Sequence, residues 1–122
     1  MQYEYFYGAQ AEQFSFYRIP KALFTEPNFR ELSTDAKVLY GILLDRMSLS
    51  LKNQWLDAQN KVYIIFTVEE IMDALNCANQ KATRLMVELE KQAGLIERKR
   101  QGLGRPNLIY VKNFAATIND KS

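Results

Sequence analysis

The sequence predicts an α+β domain: a small helical core carrying a basic β-hairpin at its C-terminal end. Three observations predict it. Apolar residues recur at helical spacing along residues 36–47, 68–75 and 82–89. Two short β-prone runs, 95–96 and 108–111, flank a turn built on Gly102, Gly104 and Pro106. Positive charge is also unevenly spread. Residues 1–79 hold seven Lys/Arg and ten Asp/Glu, whereas residues 80–112 hold eight Lys/Arg and three Asp/Glu. Charge of one sign gathered into one segment is the pattern expected of a face that meets phosphate.

Composition narrows the function classes. At 122 residues the chain is read as one domain, and its 48% apolar and 25% charged content are ordinary for a soluble globular protein. No run approaches the roughly 18 to 20 apolar residues of a membrane span, and no secretory leader pattern opens the sequence. The one cysteine, Cys77, precludes an internal disulfide and fits a reducing cytoplasm. Cys77 reads either as a small packed residue or as a reactive thiol. There is no histidine, which removes the commonest general base and metal ligand. Nickases and relaxases that pair a tyrosine with a histidine-bound metal do not fit. With no paired carboxylates at site-like spacing, no catalytic residues, metal or cofactor are expected.

Residues 1–20 form an aromatic arm: Tyr3, Tyr5, Phe6, Tyr7, Phe14, Phe16 and Tyr17 show no clear periodicity. Such an arm packs on its own domain, packs on another subunit, or serves as a platform for base stacking. Pro20 biases Ile19 away from helix and can open a short one through Leu23–Phe24 that ends before Pro27. Ser33 is a good N-cap for the first long helix, with Asp35 in its first turn. Ala36, Leu39, Tyr40, Leu43, Leu44 and Met47 then fall on one stripe. Trp55–Leu56 and Val62–Phe66, around an Asp57–Asn60 turn, are expected to pair as a second short hairpin.

Thr67-Val-Glu-Glu70 has the spacing of a capping box and starts a short helix that turns Val68, Ile71, Met72 and Leu75 inward. After the turn Asn76–Asn79, with Asn79 the expected cap, a third helix is predicted through about Gln92. Ala82, Leu85, Met86 and Leu89 form its buried stripe, and Gly94 stops it. The hairpin follows at once. Helix, strand, helix, tight turn, helix and basic hairpin is the element order of a winged helix-turn-helix.

The third helix is then the recognition helix. At 100° per residue, Gln80, Arg84, Val87 and Lys91 lie opposite the buried stripe, with Lys81 and Thr83 on its flanks. Gln80, Thr83 and Arg84, near its N-terminal end, suit base edges: glutamine pairs with adenine and arginine with the O6/N7 edge of guanine. Lys81, Lys91, Arg98, Lys99, Arg100, Gln101 and Arg105 are assigned to the backbone or minor groove, with Lys112 just beyond the hairpin. The alternative for any of these charges is simple solvation of an exposed surface.

The chain also resembles the N-terminal domain of RepA-type plasmid replication initiators of Gram-positive bacteria. The resemblance runs through Glu12–Phe24, Leu32–Ser50, Phe66–Ile71, Gly94–Val111 and Lys112–Phe114, nearly the whole length. It implies a winged-helix domain at residues 21–114 that recognises repeated sites (iterons) at a plasmid origin as a dimer. A further C-terminal domain, thought to engage host replication proteins, is lacking, and residues 115–122 read as a polar tail. The chain is therefore expected to be a fragment that binds the origin without completing initiation. The candidates for dimerisation are Tyr3, Tyr5, Phe6 and Tyr7 of the arm and Trp55 of the second hairpin. The rival expectation is a winged-helix protein-interaction module or transcriptional regulator, in which the arm would carry the function.

Overall fold

The computed structural model describes residues 2–115. Apart from Ala115, the 115–122 tail lies outside the described residues, as does Met1. After a 3₁₀ turn at Gln10–Gln13 come helix α1 (Ala22–Thr25), a 3₁₀ turn at Pro27–Phe29, α2 (Thr34–Met47), α3 (Val68–Leu75) and α4 (Asn79–Val87). Strands β1 (Ile96–Lys99) and β2 (Leu108–Val111) close the order. This is the predicted α+β winged helix-turn-helix.

The α2 stripe is buried as its spacing requires: Ala36, Leu39, Tyr40 and Leu43 meet Ile71 of α3, Leu85 of α4, Leu89 just beyond it, and Ile109 of β2 in one core. The capping box forms. Thr67 Oγ1 accepts from the Glu70 N–H at 3.1 Å, and Glu70 Oε1 accepts from the Thr67 N–H at 2.9 Å. At the other end of α2, Arg46 lies over Trp55 and Phe66, 5.7 and 5.3 Å from their ring centres, and pairs with Glu70 at 3.2 Å. That one side chain joins three segments.

Four sequence expectations need correction. The third helix does not stay α-helical to Gln92, because from Glu88 it widens into a π-helical turn, with the Ala93 N–H reaching the Glu88 carbonyl at 3.1 Å. Its N-cap is Ala78 (ψ 167°), not Asn79. Asn76 ends α3 in the left-handed region (φ 51°), which puts Asn79 one residue too late to cap. Asn79 Oδ1 instead accepts from Thr83 Oγ1 at 3.4 Å. The first wing strand is Ile96–Lys99, which starts on the second residue of the apolar pair and runs three residues past it. The second hairpin reduces to a single bridge between Leu56 and Val62.

Residue Ile64 explains that last difference. Its N–H and C=O both bond to Ile109, at 2.8 and 3.0 Å, so the segment adds to β2 instead of lengthening a hairpin with Trp55–Leu56. Burying Ile64 and Ile109 together outweighs further pairing in an exposed, polar loop. β1 and β2 are antiparallel, with Arg98 opposite Ile109 and Lys99 opposite Leu108.

Candidate nucleic-acid interface

Helix α4 buries Ala82, Leu85 and Met86 and turns Gln80, Thr83, Arg84 and Val87 to solvent, the division its spacing predicts. Lys91 is exposed on the π turn, and Lys99, Arg100 and Arg105 are exposed on the wing. Among the described residues, Arg84, Lys91, Lys99, Arg100 and Arg105 make no ion pair. Unpaired cations on one helix and the adjacent hairpin form a positive surface whose charges are free for an anionic partner.

Other candidates have work inside the chain. The Lys81 ammonium lies 2.6 Å from Asp35 of α2, tying the start of α4 to the start of α2. Arg98 pairs with Glu90 at 2.8 Å. The Gln101 amide donates to the Pro106 carbonyl at 2.7 Å, bracing the wing tip from within. The tip itself is Gly102-Leu103-Gly104, both glycines having positive φ (121° and 78°), conformations that a side chain would strain.

Two further features lie on or beside the wing. Leu103, between those glycines, is fully exposed at the wing tip. Its signal in the sequence is the Gly-Leu-Gly spacing, which marks the turn and also leaves the leucine at its apex. Tyr110 of β2 donates its hydroxyl hydrogen to Asp57 Oδ2 at 3.0 Å, and Asp57 Oδ1 accepts from the Gln59 and Lys61 N–H groups at 2.8 Å each. The Lys61 amide, with those partners, holds the Asp57 carboxyl below its usual range, while burial and the Asp57 charge push the Tyr110 phenol up. No local pattern joins residues so far apart.

The aromatic arm is not packed into this core. Tyr5, Phe6, Tyr7, Phe14, Phe16 and Tyr17 are all at least half exposed, and Tyr3 is 82% exposed. Within the arm Phe14 makes edge contacts with Phe6 and Phe16, at 5.9 and 6.2 Å between centres. Trp55 behaves differently. It is half-buried, stacked on Tyr63 at 6.5 Å with Arg46 over its face.

The fold and this surface define a winged helix-turn-helix domain with exposed cations on its third helix and wing. The chain belongs to the family of replication initiator protein A (RepA) N-termini, whose profile matches residues 15–122. A curated relative, the 41 kDa protein of Lactobacillus helveticus, is 32% identical over 92 residues, covering 75% of this chain and 26% of that protein. The chain thus spans about a quarter of that relative's length. Solved structures agree over most of the fold. An N-terminal domain of a DNA-binding protein superposes with a TM-score of 0.75 at 39% identity, covering 92% of this chain and 85% of that one. A Rep–DNA complex gives 0.75 at 39%, covering 90% and 84%, and an MDR initiator gives 0.72 at 40%, covering 90% and 86%.

Proposed function

We propose that this chain binds duplex DNA sequence-specifically at repeated sites of a plasmid replication origin, as the N-terminal part of an initiator. The observation that carries the reading is the set of exposed cations without an ion pair among the described residues, Arg84, Lys91, Lys99, Arg100 and Arg105, along the third helix and the wing. Helix α4 enters the major groove, where Gln80, Thr83 and Arg84 meet base edges. The wing cations lie on the flanking backbone or minor groove, and Leu103 reaches the groove wall from the tip. Membership in the initiator family and likeness to a Rep–DNA complex support it.

The chain divides into the arm at 1–20, the winged helix at 21–114 and the tail at 115–122. In the full-length protein a C-terminal domain follows and engages host replication proteins. The role is binding, not catalysis, and no cofactor is needed. The protein acts in the cytoplasm, and no helix among the described residues is long and apolar enough to cross a membrane. We assign dimerisation to the arm, through Tyr3, Tyr5, Phe6 and Tyr7, since Trp55 already packs within the chain. Residues 2–17 carry Glu4 and Glu12 and no Lys or Arg, so the arm suits a protein partner better than a polyanion.

The test is selection from a random duplex library at two salt concentrations, with the retained sites sequenced. A repeated motif, bound at about 10⁻⁸ to 10⁻¹¹ M, is expected. Log K should fall against log salt with a slope of about −5 for six or so neutralised phosphates. Weak binding without a motif would shift the function to protein interaction.

A further inference from the structure

The recognition helix ends in a π turn whose two inward carboxylates are both engaged. Glu88 reaches back to Ser33 at the start of α2, and Glu90 reaches forward to Arg98 in the wing. The second contact is three-pronged. The Arg98 Nε–H and Nη2–H donate to Glu90 Oε1 at 2.9 and 2.8 Å, and the Arg98 backbone N–H donates to Oε2 at 2.9 Å. Both side chains are largely shielded, 25% exposed for Arg98 and 15% for Glu90, so the pair is held in place and little screened.

The covalent path between helix and wing is short and built on a glycine. Gly94 turns the chain with φ +66°, and the wing is pinned just beyond it, where Leu95 is buried and its N–H donates to the Leu89 carbonyl at 2.9 Å. One duplex can meet α4 and the wing together only if the angle between them is set. Glu90 sits on the helix side of that junction and Arg98 on the wing side, so their pair braces it a second time, farther out along the wing. Burial pushes the Glu90 carboxyl up, but the hydrogen bonds and charge of Arg98 outweigh it and hold the group below its ordinary range. Glu90 is therefore ionised at neutral pH.

We propose that Glu90 is a positioning residue for DNA recognition, locking the wing through Arg98 at the angle at which wing and α4 share one duplex. The proposal rests on the DNA-binding reading above, and it takes Arg98 out of the set of phosphate contacts. Arg98 works through Glu90, whereas Lys99, Arg100 and Arg105 meet the DNA.

A double-mutant cycle tests this on the whole chain, with a duplex selected by the wild type and at a temperature where every variant is folded. Glu90→Gln, Arg98→Ala and the double variant are each expected to weaken binding by about tenfold, with no further loss in the double. The salt dependence should shallow in all three, because a loose wing neutralises fewer phosphates. Glu90→Gln keeps shape and an acceptor, and Arg98→Lys serves if Arg98→Ala does not fold. Multiplying losses, or tighter binding by Glu90→Gln, would mean that Arg98 touches phosphate and would overturn the proposal. Lower melting temperatures with unchanged affinity would reduce the pair to a stabilising contact and overturn it too. A wild type that selects no duplex would instead remove the DNA-binding reading itself.

Discussion

Glu88 completes the cap of a helix at Ser33, 55 residues before it: its Oε2 accepts the Ser33 hydroxyl hydrogen at 3.0 Å and its Oε1 accepts the Ser33 N–H. Ser33 Oγ in turn accepts from the Ala36 N–H at 3.1 Å. In the Thr67–Glu70 box the reciprocal glutamate lies three residues on. At Ser33 that position is Ala36, and a carboxylate from the end of the recognition helix replaces it. Glu88→Ala should therefore destabilise the fold by roughly 1 kcal/mol, the usual cost of a lost helix cap, since it takes the acceptor from the Ser33 N–H and hydroxyl. Glu88→Gln should cost less. Urea unfolding midpoints would measure both, and an unchanged midpoint for Glu88→Ala would refute the cap.

Arg84 and Arg105 should fail differently. Arg84→Ala should cost roughly 1–3 kcal/mol on the preferred site and relax selectivity at one base position. Arg105→Ala should weaken all duplexes alike and shallow the salt slope by about 1. Binding of matched and single-mismatch duplexes separates the two, and uniform loss from both would end the division of roles.

Gly41 of α2 is where the root of the arm lies down. A Cβ there would stand 2.8 Å from Ile19 Cγ1 and 3.0 Å from the Arg18 carbonyl oxygen. In a helix, alanine is otherwise favoured over glycine by about 1 kcal/mol. Gly41→Ala should nonetheless lower stability, by about 1–3 kcal/mol, because the backbone of the arm must move away. A raised melting temperature would show that the arm root is not held against α2.

Tyr40 links stability to alkaline pH. Burial pushes its phenol from 10.0 up to about 12, and its hydroxyl donates to the Lys112 carbonyl at 2.8 Å. The raised value means that the fold favours the protonated form, so this stability is complete below pH 10 and lost as pH rises towards 12. The loss approaches roughly 2–3 kcal/mol at the top of that window. Tyr40→Phe should flatten this part of the stability–pH curve. Identical curves for the two proteins between pH 10 and 12 would refute it.

Much of the candidate interface was legible because helical geometry is local. Once Ala82, Leu85 and Met86 mark the inner face of α4, Gln80, Arg84 and Val87 must face outward, whatever the rest of the chain does. The wing was legible from its glycines and flanking apolar runs, though not to its last residue, since Arg98 and Lys99 join the strand only by pairing with Ile109 and Leu108. Arg98 shows where such reasoning stops. Charge and position alone suggest a phosphate contact like Arg100, whereas the Glu90 carboxylate beneath its guanidinium is brought there only by the fold.

The sequence by itself determined the element order, the caps at Ser33 and Thr67, the buried stripes and the concentration of positive charge beyond residue 80. Each depends on residues within a turn or two of one another, where spacing dictates geometry. Only the tertiary structure decided which cations stay free, where Ile64 pairs and how the wing is held to the recognition helix. Those outcomes depend on carboxylates and strand edges far apart in sequence, which compete for the same donors only after the core has closed.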